Sequence, residues 1–385
     1  MKRKNTLFVR RTTYDEPCGL YIHIPFCRCR CPYCDFYSIV YKADKAAEYV
    51  DIVTKQVKKL NNKFHTVYIG GGTPSVLDTR LLRKLLGALS SHFSHSVENT
   101  IEANPESLTK EKIRVLRSQG INRISIGVQS LRDDKLKSLG RVHAARNART
   151  AVDNAKRGGF TNIGIDLIYG VPGERFSEWK KELTEVVKLP VKHISCYSLI
   201  CEKGTHFYRL RDSIDDDIVA KMYRYNMRFF KDHGFVHYEV SNYAKQTFVC
   251  VHNCLYWANA SYIGIGASAV SYIDQVRIKN IADVNQYIKR AGNNRSLILQ
   301  KEKLSTVRRA KETAALNIRR SDGIDFEEFK QITGFDFWQI EDHQELERCI
   351  REKLLRFRKK GKEKSGIALT DKGFLYADSV SSALL

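Results

Sequence analysis

The sequence predicts an α/β fold: a partial (β/α) TIM-like barrel followed by a small helical, winged-helix-like C-terminal domain. Short β-rich runs at 19–24, 66–70, 100–103, 123–128, 162–168 and 193–199 alternate with amphipathic, charged stretches at 45–61, 79–93, 110–119, 145–158 and 177–187. That is the pattern of βα units on a parallel sheet. Past Leu199 the alternation loosens into an aromatic-rich region over 222–257, and from Lys301 the composition shifts to alternating charges and short apolar periods, with Gly361 and Gly366 flanking a basic turn. At 385 residues the chain exceeds one ordinary domain. The expected limits are a basic N-terminal segment at 1–17, a barrel with its extension at 18–290 and a small domain at 300–385.

Hydrophobic residues at 43% and charged residues at 28% describe a globular protein able to bury a core, and no apolar run approaches a membrane span. Met1-Lys2-Arg3-Lys4 is basic but no apolar stretch follows it, which points to the cytoplasm and away from secretion. In a reducing compartment ten cysteines are better suited to metal or cluster ligation than to disulfides. The formal charge of +22 reads first as a solubility bias. It also suits peripheral contact with an anionic membrane surface, and it specifies no nucleic acid. Monomer and dimer both stay open.

On barrels of this kind chemistry sits at the carboxyl ends of the strands. The first strand runs directly into Cys27-Arg28-Cys29-Arg30-Cys31-Pro32-Tyr33-Cys34. Thiolates spaced C-x3-C-x2-C at Cys27, Cys31 and Cys34 suit three irons of a [4Fe–4S] cubane and leave the fourth open to an outside ligand. A closed electron-transfer cluster wants four cysteines, and a structural zinc site wants a second ligand pair, to which Cys250 and Cys254 are the nearest approach. Cys29 is a further thiol in the loop, able in principle to replace a neighbour. Its one-residue gaps are tight for ligating different irons in series, so it reads as a bystander.

With these residues the chain resembles the radical S-adenosylmethionine superfamily and, within it, the oxygen-independent coproporphyrinogen III oxidase-like family. The resemblance rests on Tyr21-Ile22-His23-Ile24-Pro25-Phe26-Cys27 with the cysteine triad, and it extends over nearly the whole chain. It implies a barrel of the radical SAM type. It also implies that the open iron chelates the amino and carboxylate groups of S-adenosylmethionine, and that an outside electron donor serves the cluster.

Gly70-Gly71-Gly72-Thr73 follows the second strand, where a glycine run lets backbone approach a ligand closely. The resemblance makes it the element that holds the methionine amino group. Glu102 ends the third strand and can accept bonds from ribose hydroxyls or an ammonium. Gln129 ends the fourth, and Arg141 follows in Leu139-Gly140-Arg141. Asp166 stands inside an otherwise apolar strand, where a carboxylate is costly unless paired; an Arg141–Asp166 pair across the mouth is one way to satisfy it. In the family, positions matching Tyr21, Tyr33, Gly71, Gly72, Thr73, Glu102, Gln129, Arg141 and Asp166 line the cofactor pocket, some of them serving a second cofactor molecule in the oxidases.

The oxidases carry a further cysteine two places after the third ligand, where this chain has Phe36, and a longer segment before the motif. Both departures resemble the heme chaperone branch, HemW, whose members bind heme and deliver it to acceptor proteins such as respiratory enzymes. His252-Asn253-Cys254-Leu255-Tyr256-Trp257 matches the H-N-x-x-Y-W pattern of that branch. A neutral imidazole is a good axial donor to heme iron, and aromatics offer flat apolar area. These arguments make His252, Asn253, Tyr256 and Trp257 the candidate heme contacts, with Cys250 and Cys254 as alternative thiolate donors. Without the resemblance, a histidine in a core aromatic cluster is the plainer reading. Val270 stands where chaperone-like members usually have histidine and is closer to the oxidases. The expectation is a heme chaperone using a [4Fe–4S] cluster and S-adenosylmethionine, with heme as cargo. Radical oxidative decarboxylation of coproporphyrinogen III is the alternative.

Overall fold

The computed structural model describes residues 17–340, 343–361 and 363–385. Residues 1–16 of the expected basic segment lie outside the described residues. The chain alternates as the sequence predicts: β1 (Gly19–Ile24), α1 (Ala43–Val57), β2 (Thr66–Gly71), α2 (Thr79–Phe93), β3 (Glu98–Ala103), α3 (Lys110–Ser118) and β4 (Arg123–Gln129). It continues through α4 (Asp133–Ser138), α5 (Ala145–Arg157), β5 (Asn162–Tyr169), α6 (Phe176–Val186), β6 (His193–Ser198) and α7 (Asp216–Asp232). Strand and helix ends fall within a few residues of expectation. The short helix α4 is the addition, because six residues are too few to declare a helical period.

β1 to β6 pair in parallel in sequence order. β1 shows the near-continuous burial of a strand covered on both faces, Leu20, Ile22 and Ile24 being wholly enclosed. The helices form the outer cover. In α2, Leu81, Leu82, Leu85, Leu86 and Leu89 lie on one buried stripe, and Asp78 caps the first turn by accepting from the Leu81 amide.

β7 (Val236–Glu239) and β8 (Asn242–Ala244) extend the sheet antiparallel beyond β6. The chain then forms α8 (Val251–Trp257) and returns as β9 (Tyr262–Ile265), parallel to β1 on the opposite side. Antiparallel β10 (Val270–Ile273), β11 (Val276–Asn280) and, after α9 (Val284–Gly292), β12 (Ile298–Lys303) complete a sheet that has twelve strands among the described residues. Residues of five successive strands, β2 to β6, line a single cavity, so the sheet is curled into a partial barrel.

The C-terminal region contains α10 (Thr306–Asn317), α11 (Phe326–Thr333), α12 (His343–Arg351), and a hairpin of β13 (Leu355–Lys360) and β14 (Glu363–Leu369). Ile324–Asp325 adds a third strand to β14, and α13 (Ala377–Ala383) returns to α10, where the Ser381 hydroxyl donates to the Ala315 carbonyl. This is the winged-helix-like arrangement that the composition shift predicts. Among the described residues no helix is long and apolar enough to cross a membrane.

Candidate functional site

At the carboxyl ends of the parallel strands lies a cavity of about 440 Å³. The loop after β1 supplies Cys27, Cys29, Cys31 and Cys34 to its wall. Phe26–Cys27 pair with Ile39–Val40, and the Ile39 and Tyr41 amides donate to the Pro25 and Cys27 carbonyls at 2.7 and 2.8 Å, pinning the loop at its neck. The second strand approaches so closely that a Cβ on Gly72 would stand 2.8 Å from the Phe26 oxygen and 2.9 Å from Cys27 Sγ. Gly71, at φ +116°, would place a Cβ 2.7 Å from the His23 ring. Only glycine meets both demands.

Thr73 Oγ1 donates to the Cys27 sulfur at 3.5 Å and Arg141 Nη1 to the Cys31 sulfur at 3.3 Å. Burial pushes the Cys34 thiol up to about 11 and raises Cys27 as well. Among the described residues no three His, Cys, Asp or Glu side chains converge tightly enough to hold one metal ion. Three thiols carried by one loop onto one cavity wall are a donor set suited to a cubane in which each cysteine takes a different iron.

Glu102 sits beyond the glycine run. Tyr68 Oη donates to its Oε1 at 2.7 Å and the Gly71 amide to its Oε2 at 3.1 Å. Burial, reinforced by the charge of Asp166, nevertheless pushes its carboxyl up to about 7. Gln129 lines the same cavity from a left-handed backbone at φ +61°. Tyr33 lines it from the cluster loop, its ring 6.2 Å from that of Phe207. Tyr21 is one layer back: its hydroxyl meets His23 Nδ1 at 3.0 Å and its ring lies against Tyr68.

The Arg141–Asp166 pair is not formed. Arg141 is engaged by Cys31 and by the Gly127 carbonyl at 3.3 Å, out beside the cluster loop. Asp166 lies deeper, where Ser125 donates at 3.3 Å and Ser195, its register partner on β6, also bonds to it. Burial raises the Asp166 carboxyl, and Arg123 offsets that more than Arg141 does.

Comparison with known proteins gives this arrangement a lineage. Residues 21–186 match the Radical SAM superfamily, and residues 304–376 match the HemN C-terminal domain. The chain is 36% identical over 379 residues to heme chaperone HemW of Lactococcus lactis, covering 96% of this chain and 98% of that one. It is 33% identical to heme chaperone HemW of Bacillus subtilis, covering 82% and 86%. The chain belongs to the HemW family. Its fold is similar to that of coproporphyrinogen III oxidase HemN from Escherichia coli, with a TM-score of 0.82 at 21% identity over 96% of this chain and 90% of that one. The cysteine loop and the glycine run both lie within the residues that match the Radical SAM superfamily.

The H-N-x-x-Y-W stretch of this HemW-family chain forms α8, which closes the opposite end of the barrel. Glu98, first residue of β3, accepts from the amides of Val251 and His252 at 3.0 and 3.1 Å. Both ring nitrogens of His252 are engaged, Nδ1 with Thr66 Oγ1 at 2.7 Å and Nε2 with Tyr256 Oη at 2.9 Å. The ring also stacks on Tyr68, with centroids 5.0 Å apart. Burial holds its pKa down at about 3. As an expected axial ligand, then, His252 is neutral but offers no free lone pair in this arrangement. Its ring thus sits in an aromatic cluster with Tyr68 and Tyr256. Asn253 reaches the cavity from below, while Trp257 packs under the Arg319 guanidinium at 5.1 Å, facing the C-terminal region. Cys250 and Cys254 are thiols and not ready thiolates: burial pushes Cys254 up to about 12 and raises Cys250 well above the ordinary thiol value.

Sequence reasoning passed over Tyr68, Asn104 and Ser195. Asn104 donates to Thr73 Oγ1 at 2.9 Å, linking the glycine-run turn to the end of β3. The signal for Tyr68 was available, because residues two apart on a strand share a face and Tyr68 stands two before Gly70.

Proposed function

We propose that the chain is a heme chaperone. It holds a [4Fe–4S] cluster on Cys27, Cys31 and Cys34, takes S-adenosylmethionine in the adjoining cavity, binds heme at the barrel mouth and passes it to an acceptor protein. The observation that carries the cargo reading is an apolar rim around a polar cavity: Phe36, Ile200, Val142 and Tyr197 line it while remaining 66%, 61%, 54% and 42% exposed. Exposed apolar patches of this kind mark binding surfaces, and a flat macrocycle with an apolar face suits one. Arg28 and Arg30, exposed on the cluster loop, are cations suited to the propionates of a heme and to an acidic electron donor.

S-adenosylmethionine, when bound, supplies a reductively cleavable sulfonium. The chain's own residues orient it. Gly71, Gly72 and Thr73 would present backbone to its methionine end, Glu102 and Gln129 would accept and donate along its polar edge, and Arg141 places a guanidinium beside Cys31. Tyr21 braces Tyr68, and Asp166 fixes the deeper wall with Ser125 and Ser195. The family relatives named as heme chaperones support this reading over decarboxylation, as does Phe36 at the position of the oxidases' extra cysteine. Val270 favours the oxidase alternative.

Anaerobic reconstitution followed by heme titration tests the cargo reading: stoichiometric spectral change with heme is expected. Incubation with coproporphyrinogen III, S-adenosylmethionine and a reductant should yield no protoporphyrinogen. Product formation would replace the chaperone reading with the oxidase one.

A further inference from the structure

Below the mouth, a wholly enclosed set of three charges joins two strand-end turns. Lys135 of α4 places its ammonium 2.6 Å from Glu174 Oε1 and 3.2 Å from Glu182 Oε2, with side-chain exposures of 3%, 3% and 0%. It also lies 4.5 Å over the Trp179 ring. Each carboxylate takes backbone from a different turn. Glu182 accepts from the Ser130 hydroxyl and, at 2.7 Å, from the Leu131 amide, immediately after β4. Glu174 accepts from the Gly170 and Val171 amides at 2.8 and 3.3 Å, immediately after β5.

The turn held by Glu182 is the one that carries Gln129. Its Ser130 amide donates back to the Val128 carbonyl at 2.7 Å, closing a three-residue turn around a glutamine at φ +61°. L-residues avoid that conformation unless their surroundings impose it. The result is directional: the Gln129 amide lies over Gly127, where a Cβ would come within 2.9 Å of Nε2, and into the cavity. Burying three charges to fasten two turns is an expensive way to obtain stability alone, since apolar replacements of such networks are often no less stable.

We infer that Glu182, held by Lys135 and Glu174, is a positioning residue for S-adenosylmethionine, acting through the turn that aims Gln129. The inference rests on reading the cavity as the S-adenosylmethionine site. It assigns to this buried triad the setting of cofactor affinity, with no contact of its own to the cofactor.

The test is a double-mutant cycle on anaerobically reconstituted full-length protein, reading the S-adenosylmethionine dissociation constant alongside iron content and melting midpoint. Glu182→Gln and Gln129→Ala should each weaken binding by about tenfold, and the double variant by no more than that same tenfold, because both remove one interaction. Iron content should stay at the wild-type level. Ser130→Ala, which deletes one bond to Glu182 without stranding a charge, runs the same cycle if Glu182→Gln fails to fold. Losses that multiply to about a hundredfold overturn the inference. So does a variant with a lower melting midpoint and an unchanged dissociation constant, which is what a purely structural triad gives. If wild-type protein with a full cluster binds no S-adenosylmethionine, the site reading itself fails, and the inference falls with it.

Discussion

The two ends of the barrel are built from similar residue types and do opposite things with them. At the floor, the polar groups around His252 are answered by protein: the ring has partners on both nitrogens, and Glu98 takes two amides of the helix start, although Trp257 Nε1 further along α8 has none. At the mouth, Glu102 is pushed up to about 7, Gln129 is held at φ +61°, Arg141 Nε has no hydrogen-bond partner, and large apolar side chains stay exposed. Groups that are strained, poorly compensated or apolar and exposed gather where a ligand supplies what the protein omits. The difference teaches where the molecule leaves room for a ligand and where its own side chains already fill the space.

The sharpest way to break this comparison is to remove a thiol from each end. Cys31→Ser at the mouth should lower iron from about four per chain to near none, because a cubane held by two cysteines does not persist. S-adenosylmethionine binding should vanish with it. Cys254→Ser at the floor should leave iron content unchanged. Retention of the cluster in Cys31→Ser would bring Cys29 in as its replacement, and retention in the Cys29→Ser/Cys31→Ser double variant would remove the loop from the proposed site.

Next in size is His252→Ala. It opens a hole beneath Tyr68 and strands the Thr66 and Tyr256 hydroxyls, a loss of about 2–4 kcal/mol of stability from cavity and unsatisfied groups together. Denaturant unfolding should show that loss, while heme titration matches wild type. The reverse pattern, lost heme uptake with unchanged unfolding, would restore His252 as an axial ligand and erase the contrast between the two ends.

A smaller effect follows from Glu102. Its carboxyl titrates near 7, so the charged form that attracts an ammonium dominates above that pH and is lost below it. S-adenosylmethionine should bind about tenfold more weakly at pH 6 than at pH 8, equivalent to ~1.4 kcal/mol. Glu102→Gln should flatten the profile at the weaker level. An unchanged slope in that variant would assign the pH dependence to Asp166 or to another group.

Much of this architecture was legible in the sequence because its signals are local. Strand and helix periods repeat over a few residues, the C-x3-C-x2-C spacing fits within eight, and Gly71 and Gly72 mark a close approach that no other residue tolerates. What was not legible depends on residues far apart meeting in space. The partner of Asp166 is Ser195 on the next strand and not Arg141, and the surroundings of His252 come from Thr66, 186 positions earlier. The triad of Lys135, Glu174 and Glu182 has no sequence spacing that announces it. The H-N-x-x-Y-W pattern was read correctly as a pattern, but spacing alone does not say which end of a barrel a helix closes.

The rim is the subtlest point of contrast, and the one that ties the comparison to cargo. Ile200 is 61% exposed beside the cavity, so replacing it with serine removes little buried area and should leave stability within about 0.5 kcal/mol. A heme lying on the rim would cover the same side chain. Losing a covered area of about 40 Å² at ~25 cal/mol/Å² costs about 1 kcal/mol, or roughly a fivefold rise in the heme dissociation constant. Val236→Ser, equally a surface change but on β7 away from the mouth, should leave that constant alone. If Ile200→Ser and Val236→Ser bind heme alike, the exposed rim is not where heme rests, and the search for its seat moves away from the mouth.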